Sequence, residues 1–156
     1  MPEVAVVLVV EDREDDVVVL RTAFRAAGVL NPVVWVRSGD EAITYMRGVG
    51  PYMNRSEFPL PRLILLDLKM SGLDGFDVIS YVRSRLEFAS IAIIVLTSST
   101  DMKDVQRAYD LGASSFIVRE TEFSDMVTLS KLLKEYWLGL NNTIEARRQS
   151  RQESDA

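Results

Sequence analysis

Apolar residues in this chain fall into two kinds of segment, short unbroken runs and longer stretches in which they recur every three or four positions. The runs Val4 to Val10, Leu63 to Leu66 and Ile91 to Leu96 carry almost no polar interruption. They suit strands buried on both faces of a parallel sheet, where hydrophobic and polar residues no longer alternate. Val33 to Val36 and Ser115 to Val118 read as two further short strands. Between the strands the period changes to that of a helix. Arg13 to Ala27 places Val17, Leu20, Phe24 and Ala27 on one face and is closed by Gly28. A second helix enters at Ser38, with Glu41 at capping-box spacing, and runs to about Arg47. A third spans Phe76 to Arg85 after Asp74, with Phe76, Ile79 and Val82 together, and a fourth spans about Met102 to Leu111 before Gly112.

The last helix, about Phe123 to Leu140, has apolar residues at Phe123, Met126, Val127, Leu129, Leu132, Leu133, Tyr136, Trp137 and Leu140. These cover more than the one stripe needed to pack on a sheet. The surplus either covers the sheet edge or meets another protein or a second copy. Gly48 to Pro61 contains three prolines and two glycines, so it predicts an unusually long loop and a candidate contact surface. Past Asn141 the pattern stops, and TIEARRQSRQESDA reads as a flexible tail. Five strands alternating with five helices predict an α/β parallel sheet with helices on both faces. With 156 residues, 47% of them hydrophobic, the chain predicts one domain over residues 1–140 and a tail over 141–156.

Composition removes several chemistries. There is no cysteine, so disulfides, thiolate metal sites and cysteine nucleophiles are excluded. The absence of histidine removes serine-type triads, imidazole zinc sites and phosphohistidine on this chain. A net charge of −5 argues against an electrostatic grip on nucleic acid or an anionic membrane. Val4 to Val10 is too short to span a bilayer and leads into EDREDD instead of a cleavage site. The expectation is a soluble cytoplasmic protein.

Strand ends supply the candidate chemistry. Ligands of open α/β sheets bind outside the carboxyl ends of the strands, and there the alternation gathers Glu11 and Asp12, Asp67, Thr97 and Arg119. Three carboxylates in one place repel unless a cation is bound, and an all-oxygen donor set favours Mg2+ or a similar hard ion. A cation with open positions can bridge a carboxylate and a phosphoryl oxygen. Thr97 can donate a hydrogen bond, and Arg119 can bring positive charge, to the same oxygens. Asp67 is therefore expected to be a nucleophile that accepts a phosphoryl group as an acyl phosphate.

The segments VVEDRED, LILLDLKMSGLDGFDV, IIVLTSST and LGASSFIVR resemble the blocks of two-component response regulator receiver domains, and the resemblance runs from about Val4 to Leu140. The intervals from Asp67 to Thr97 and from Thr97 to Arg119 also agree with that family. The resemblance implies a flavodoxin-like strand order, 2-1-3-4-5. It implies phosphorylation of Asp67 by a phosphohistidine on a sensor histidine kinase, with slow self-phosphorylation and self-dephosphorylation at most. Mg2+ would be held by Glu11, Asp12, Asp67 and the backbone carbonyl of Lys69, and Thr97 and Phe116 would be the pair that repositions. GVGPYMNRSEFPLPRLILLDL, AYDLGASSFIV and EYWLGLN are similar to the small stand-alone regulators of bacterial and cyanobacterial phytochromes. That narrower similarity implies a phytochrome kinase as partner and a homodimer through the last strand and helix, including Phe116, Tyr136 and Trp137.

Three positions depart from the family: Arg119 where lysine is usual, Glu120 where proline usually follows it, and Ser71 where proline is usual. A guanidinium is longer than an ammonium and favours bidentate geometry, so pairing of Arg119 with Asp67 before phosphorylation is one expectation. The departures motivate an alternative, a receiver-like interaction module with impaired phosphorylation-dependent switching. A phosphohydrolase resembling the haloacid dehalogenase group would need an aspartate where Lys69 stands, and no GxxxxGK[ST] or GxGxxG segment supports nucleotide binding. The tail carries no helix-turn-helix pattern, so output is expected through another protein, through dimerisation, or by draining phosphate from a kinase.

Overall fold

The computed structural model describes residues 5–70, 72, 74–119 and 122–140. Val4, Ser71, Glu120 and the tail over 141–156 lie outside the described residues. Five parallel strands, β1 (Val7–Val10), β2 (Val33–Val36), β3 (Leu63–Leu66), β4 (Ala92–Thr97) and β5 (Ser115–Val118), form one sheet in the order β2-β1-β3-β4-β5. The expected flavodoxin-like order is the one observed. Every residue of β1, β3 and β4 is buried, which is why their sequences read as unbroken apolar runs. The edge strands β2 and β5 are mostly half-buried.

Alternate strand residues feed two cores. Leu8, Val10, Ile64, Leu66, Ile93 and Val95 face α2 (Gly39–Arg47), α3 (Gly75–Arg83) and α4 (Met102–Leu111). Val7, Val9, Leu63, Leu65 and Ile94 face α1 (Glu14–Ala26) and α5 (Phe123–Leu133). No described helix is long and apolar enough to cross a membrane.

Several boundaries differ from the sequence reading. β1 begins at Val7, although Ala5 and Val6 are already buried. Arg13 and Ala27 are the caps of α1 and lie outside its helical turns. α3 ends at Arg83, and a short 3-10 turn, Leu86–Phe88, follows. Thr97 belongs to β4 itself, because the β4–β5 ladder extends to the pair Thr97 and Val118. At α2 the Ser38 hydroxyl accepts from the Glu41 N–H, but the Glu41 carboxylate reaches back to the N–H of Arg37 and not of Ser38. The long loop is anchored: Tyr45 donates to the Pro59 carbonyl at 2.6 Å, and Arg55 donates to the carbonyls of Met46 and Phe58.

After Leu133 the last helix continues in π-helical form over Lys134–Leu140. Met126, Leu133 and Leu138 are buried against the α1 side and Trp137 is half-buried there, so part of the surplus apolar surface covers the sheet. Leu132 and Tyr136 are both 58% exposed and border a shallow groove with Ile117 and Trp137.

Candidate functional site

Parallel register brings the polar strand ends together. Val10 lies level with Val36 and with Leu66, and Leu66 with Val95, so the residues that follow emerge along one edge. One further ladder bond holds each in place: the N–H of Glu11 donates to the Val36 carbonyl, that of Asp67 to Val10, and that of Arg119 to Thr97, at 3.1, 3.1 and 2.7 Å. The Trp35 indole N–H adds a 2.7 Å bond to the Glu11 carbonyl. The site is thus an extension of the sheet hydrogen-bonding pattern, with little freedom of its own.

Glu11, Asp12 and Asp67 converge there, each with a carboxylate oxygen within 4.8 Å of the others. Glu11 is buried, Asp67 half-buried and Asp12 exposed. A cavity of about 300 Å3 opens beside Asp67 and is bordered by Glu11, Asp16, Ser98 and Arg119. Lys69 and Asp12 border a second depression with Asp74 and Asp104. Hard, anionic oxygens at this spacing, with open space beside them, fit a divalent cation held by few protein ligands. The backbone N–H of Lys69 makes a long 3.4 Å contact with the Asp67 carboxylate.

The turn after Asp67 is closed by α3. Asp74 and Asp77 form a reciprocal capping box at 3.1 Å in each direction, and the N–H of Gly75 donates to the Leu68 carbonyl. Gly75 is pressed against the site backbone: a Cβ there would stand 2.5 Å from the Asp67 carbonyl oxygen and 2.8 Å from Leu68 Cα. Only glycine permits this approach.

Arg119 does not pair with Asp67. Its Nη2 donates to Glu11 Oε2 at 2.7 Å and its Nη1 meets Asp16 Oδ2 at 2.5 Å, while Nε is buried without a partner. Sequence reasoning missed Asp16. The available signal was the acidic run EDREDD, whose last residue falls in the first turn of α1, where it faces back across the strand end. The guanidinium instead bonds Glu11 through one terminal nitrogen and Asp16 through the other, a use of separate donors that an ammonium could not match in the plane.

Burial raises the Glu11 pKa above the ordinary glutamate value; the Arg119 hydrogen bond opposes the shift and the Asp67 charge adds to it. For Arg119 burial works against the charge, but the Glu11 hydrogen bond and the charges of Glu11, Asp16 and Asp67 outweigh it and raise the pKa. An acid whose folded pKa is raised contributes stability below its unfolded pKa and loses it as pH climbs through the folded value. In metal-free protein Glu11→Gln removes that loss. The stability of the variant relative to the parent should therefore improve as pH rises above the ordinary glutamate range in urea titrations, and a difference that stays flat with pH there would contradict the assignment.

Thr97 is 1% exposed, and its hydroxyl accepts from the Ser99 N–H at 3.4 Å. Ser99 in turn donates to Asp104 at 2.7 Å, tying the β4–α4 turn to the helix. Phe116 is half-buried against the α2–α4 side, and its N–H donates to the Tyr109 hydroxyl at 3.0 Å. Of the residues expected at the site, the structure gathers Glu11, Asp12 and Asp67 directly, sets Lys69 and Arg119 against them, leaves Thr97 buried at the end of β4 with its hydroxyl bonded to the Ser99 N–H, and puts Phe116 on the edge strand β5.

Comparison with known proteins gives a consistent answer. A family model described as the response regulator receiver domain matches residues 7–131. The probable methanogenesis regulatory protein FilR2 of Methanothrix harundinacea is 34% identical over 141 residues, covering 88% of this chain and 86% of its own. The response regulator Rcp1 of Synechocystis sp. is 26% identical over 85% of this chain and 88% of its own. The crystal structure of the Mn2+-bound form of response regulator Rcp1 has a TM-score of 0.75 at 25% identity, covering 86% of this chain and 94% of that one. The structure of the phosphorylated cyanobacterial phytochrome response regulator RcpA has a TM-score of 0.80 at 31% identity, covering 88% and 96%.

Proposed function

The chain belongs to the response regulator receiver domain family, and on that premise we propose that Asp67 accepts a phosphoryl group from a phosphohistidine on a sensor histidine kinase of the phytochrome type. The observation that carries the proposal is the convergence of Glu11, Asp12 and Asp67 within 4.8 Å, with open space beside Asp67. Glu11, Asp12, Asp67 and the Lys69 carbonyl would hold Mg2+, which supplies charge neutralisation as the phosphoryl group approaches.

An Asp67 carboxylate oxygen attacks phosphorus, the P–N bond to the partner's imidazole breaks, and the acyl phosphate remains on Asp67. Thr97 then turns its hydroxyl to a phosphoryl oxygen, Arg119 supplies positive charge, and Phe116 repacks as the β4–β5 region adjusts. Receiver domains are signalling modules, and on this reading the chain is a phosphoacceptor with at most slow self-phosphorylation and self-dephosphorylation. Incubation with acetyl phosphate and Mg2+ should add one phosphoryl mass that maps to Asp67. No gain from acetyl phosphate or from a kinase would sink the proposal.

The same reading places residues 1–140 in the receiver domain and a second copy of the chain against the last strand and helix. Exposed Tyr136 and Leu132, which border one groove with half-buried Trp137 and Ile117, support a homodimer on that face, with Phe116 on the opposite side of β5. Leu132→Asp should shift the sedimenting species from dimer to monomer while the chain stays folded, with any fall in melting temperature limited to the concentration-dependent part that dimerisation supplies. A parent protein that sediments as a monomer at every accessible concentration would remove this part.

A second reading, an interaction module with impaired switching, is favoured by the engagement of Arg119 with Glu11 and Asp16. Partner binding unchanged by phosphorylation or by Asp67→Asn would select it.

A further inference from the structure

We propose that Asp16 is a positioning residue of the phosphoacceptor site: sharing the Arg119 guanidinium with Glu11, it keeps that charge off Asp67 and leaves the Glu11–Asp12–Asp67 corner open to a divalent cation. The inference deepens the functional reading above, since it concerns the same site.

Two ion pairs of unequal origin hold Arg119, with a longer 3.4 Å bond from Nη2 to the Leu96 carbonyl beside them. Glu11 follows β1 and would meet the guanidinium on position alone, whereas Asp16 reaches it from the first turn of α1. Glu11 Oε1 accepts the Arg13 N–H at 3.1 Å and its Oε2 takes Nη2, while Nη1 bonds to Asp16 and not to Glu11. Asp16 supplies that second acceptor. With Asp16 uncharged, one positive charge faces Glu11 and Asp67 alone, and Asp67 already contributes to the field at Arg119.

The guanidinium has somewhere to go. The cavity of about 300 Å3 borders Asp16, Arg119, Ser98 and Asp67 together. The Arg119 Nε is buried and unpartnered, so the resting pose leaves one donor unsatisfied and is held by the two ion pairs and the longer bond to the Leu96 carbonyl. A guanidinium shifted toward Asp67 would stand where a divalent ion must bind, and like charges at that range repel strongly.

The test is cation binding by the full chain, read by titration calorimetry with Mg2+ alone. Asp16→Asn should weaken Mg2+ binding about tenfold, the effect of one uncompensated positive charge at short range. Asp16→Glu, which keeps the charge, should restore most of the affinity. In an Arg119→Met background the Asp16→Asn change should alter affinity less than about twofold, because the charge it controls is gone. Equal weakening in both backgrounds would make Asp16 a direct attractor of the cation, and no weakening in either would make its ion pair merely structural; both overturn the proposal. A chain that binds Mg2+ in this Arg119-dependent way yet never gains a phosphoryl group would sink the functional reading alone.

Discussion

Asp67→Asn is expected to lower phosphoryl uptake at least about 10³-fold, below detection by intact mass, because the substitution removes the proposed acceptor carboxylate. Asparagine has nearly the same shape, so packing at the end of β3 is kept and the Asp67 N–H still bonds to Val10. Its amide oxygen is a poor nucleophile and carries no charge. The carboxylate corner also loses one of its three negative charges, so Mg2+ binding should weaken together with uptake. Stability should move the other way. Asp67 raises the Glu11 pKa, meaning that the two charges repel in the folded state. Removing one relieves that repulsion, and in metal-free protein the melting temperature should hold or rise. A variant that takes up phosphate normally would refute the assignment of Asp67, and one that simply unfolds would refute the account of its surroundings.

Gly75→Ala is expected to damage both stability and chemistry from a position that never touches phosphate. The new Cβ would stand 2.5 Å from the Asp67 carbonyl oxygen and 2.8 Å from Leu68 Cα, and both neighbours are backbone atoms that no rotamer change can clear. Either α3 backs away or the chain after β3 is displaced. Overpacking of this kind costs about 1–3 kcal/mol. At about 2 kcal/mol the melting temperature of a domain this size falls by roughly 4–8 °C. The same displacement moves the Asp67 carboxylate relative to Glu11 and Asp12, and misplacement near 1 Å can cost about 10²-fold in rate. Phosphoryl uptake from acetyl phosphate should therefore fall by about that factor even at temperatures where the variant is folded. Full uptake at an unchanged melting temperature would show that the turn yields freely.

Much of the fold could be read along the chain because it is encoded by neighbours. Leu63 to Leu66 and Ile91 to Leu96 are continuous apolar runs since a central parallel strand is covered on both sides, and the ends of β2, β3, α4 and β5 were marked within a residue or two by proline, glycine or a change of period. The convergence of Glu11, Asp12 and Asp67 followed from strand alternation alone, since a parallel sheet aligns the carboxyl ends of its strands. Boundaries that depend on cross-strand bonding were less visible. The apolar run stops at Leu96, but the pairing of Thr97 with Val118 makes Thr97 the last residue of β4.

Sequence alone therefore determined the alternation of strands and helices, the two-sided burial of the sheet and the acidic edge, because each depends on period and order along the chain. Tertiary structure alone decided where the cation of Arg119 goes. Its choice among Asp67, Glu11 and Asp16 is a competition between carboxylates that all lie far from it in sequence, settled by the direction in which the β5 end and the first turn of α1 present their side chains. Distances between remote groups set that competition, and no local pattern along the chain records them.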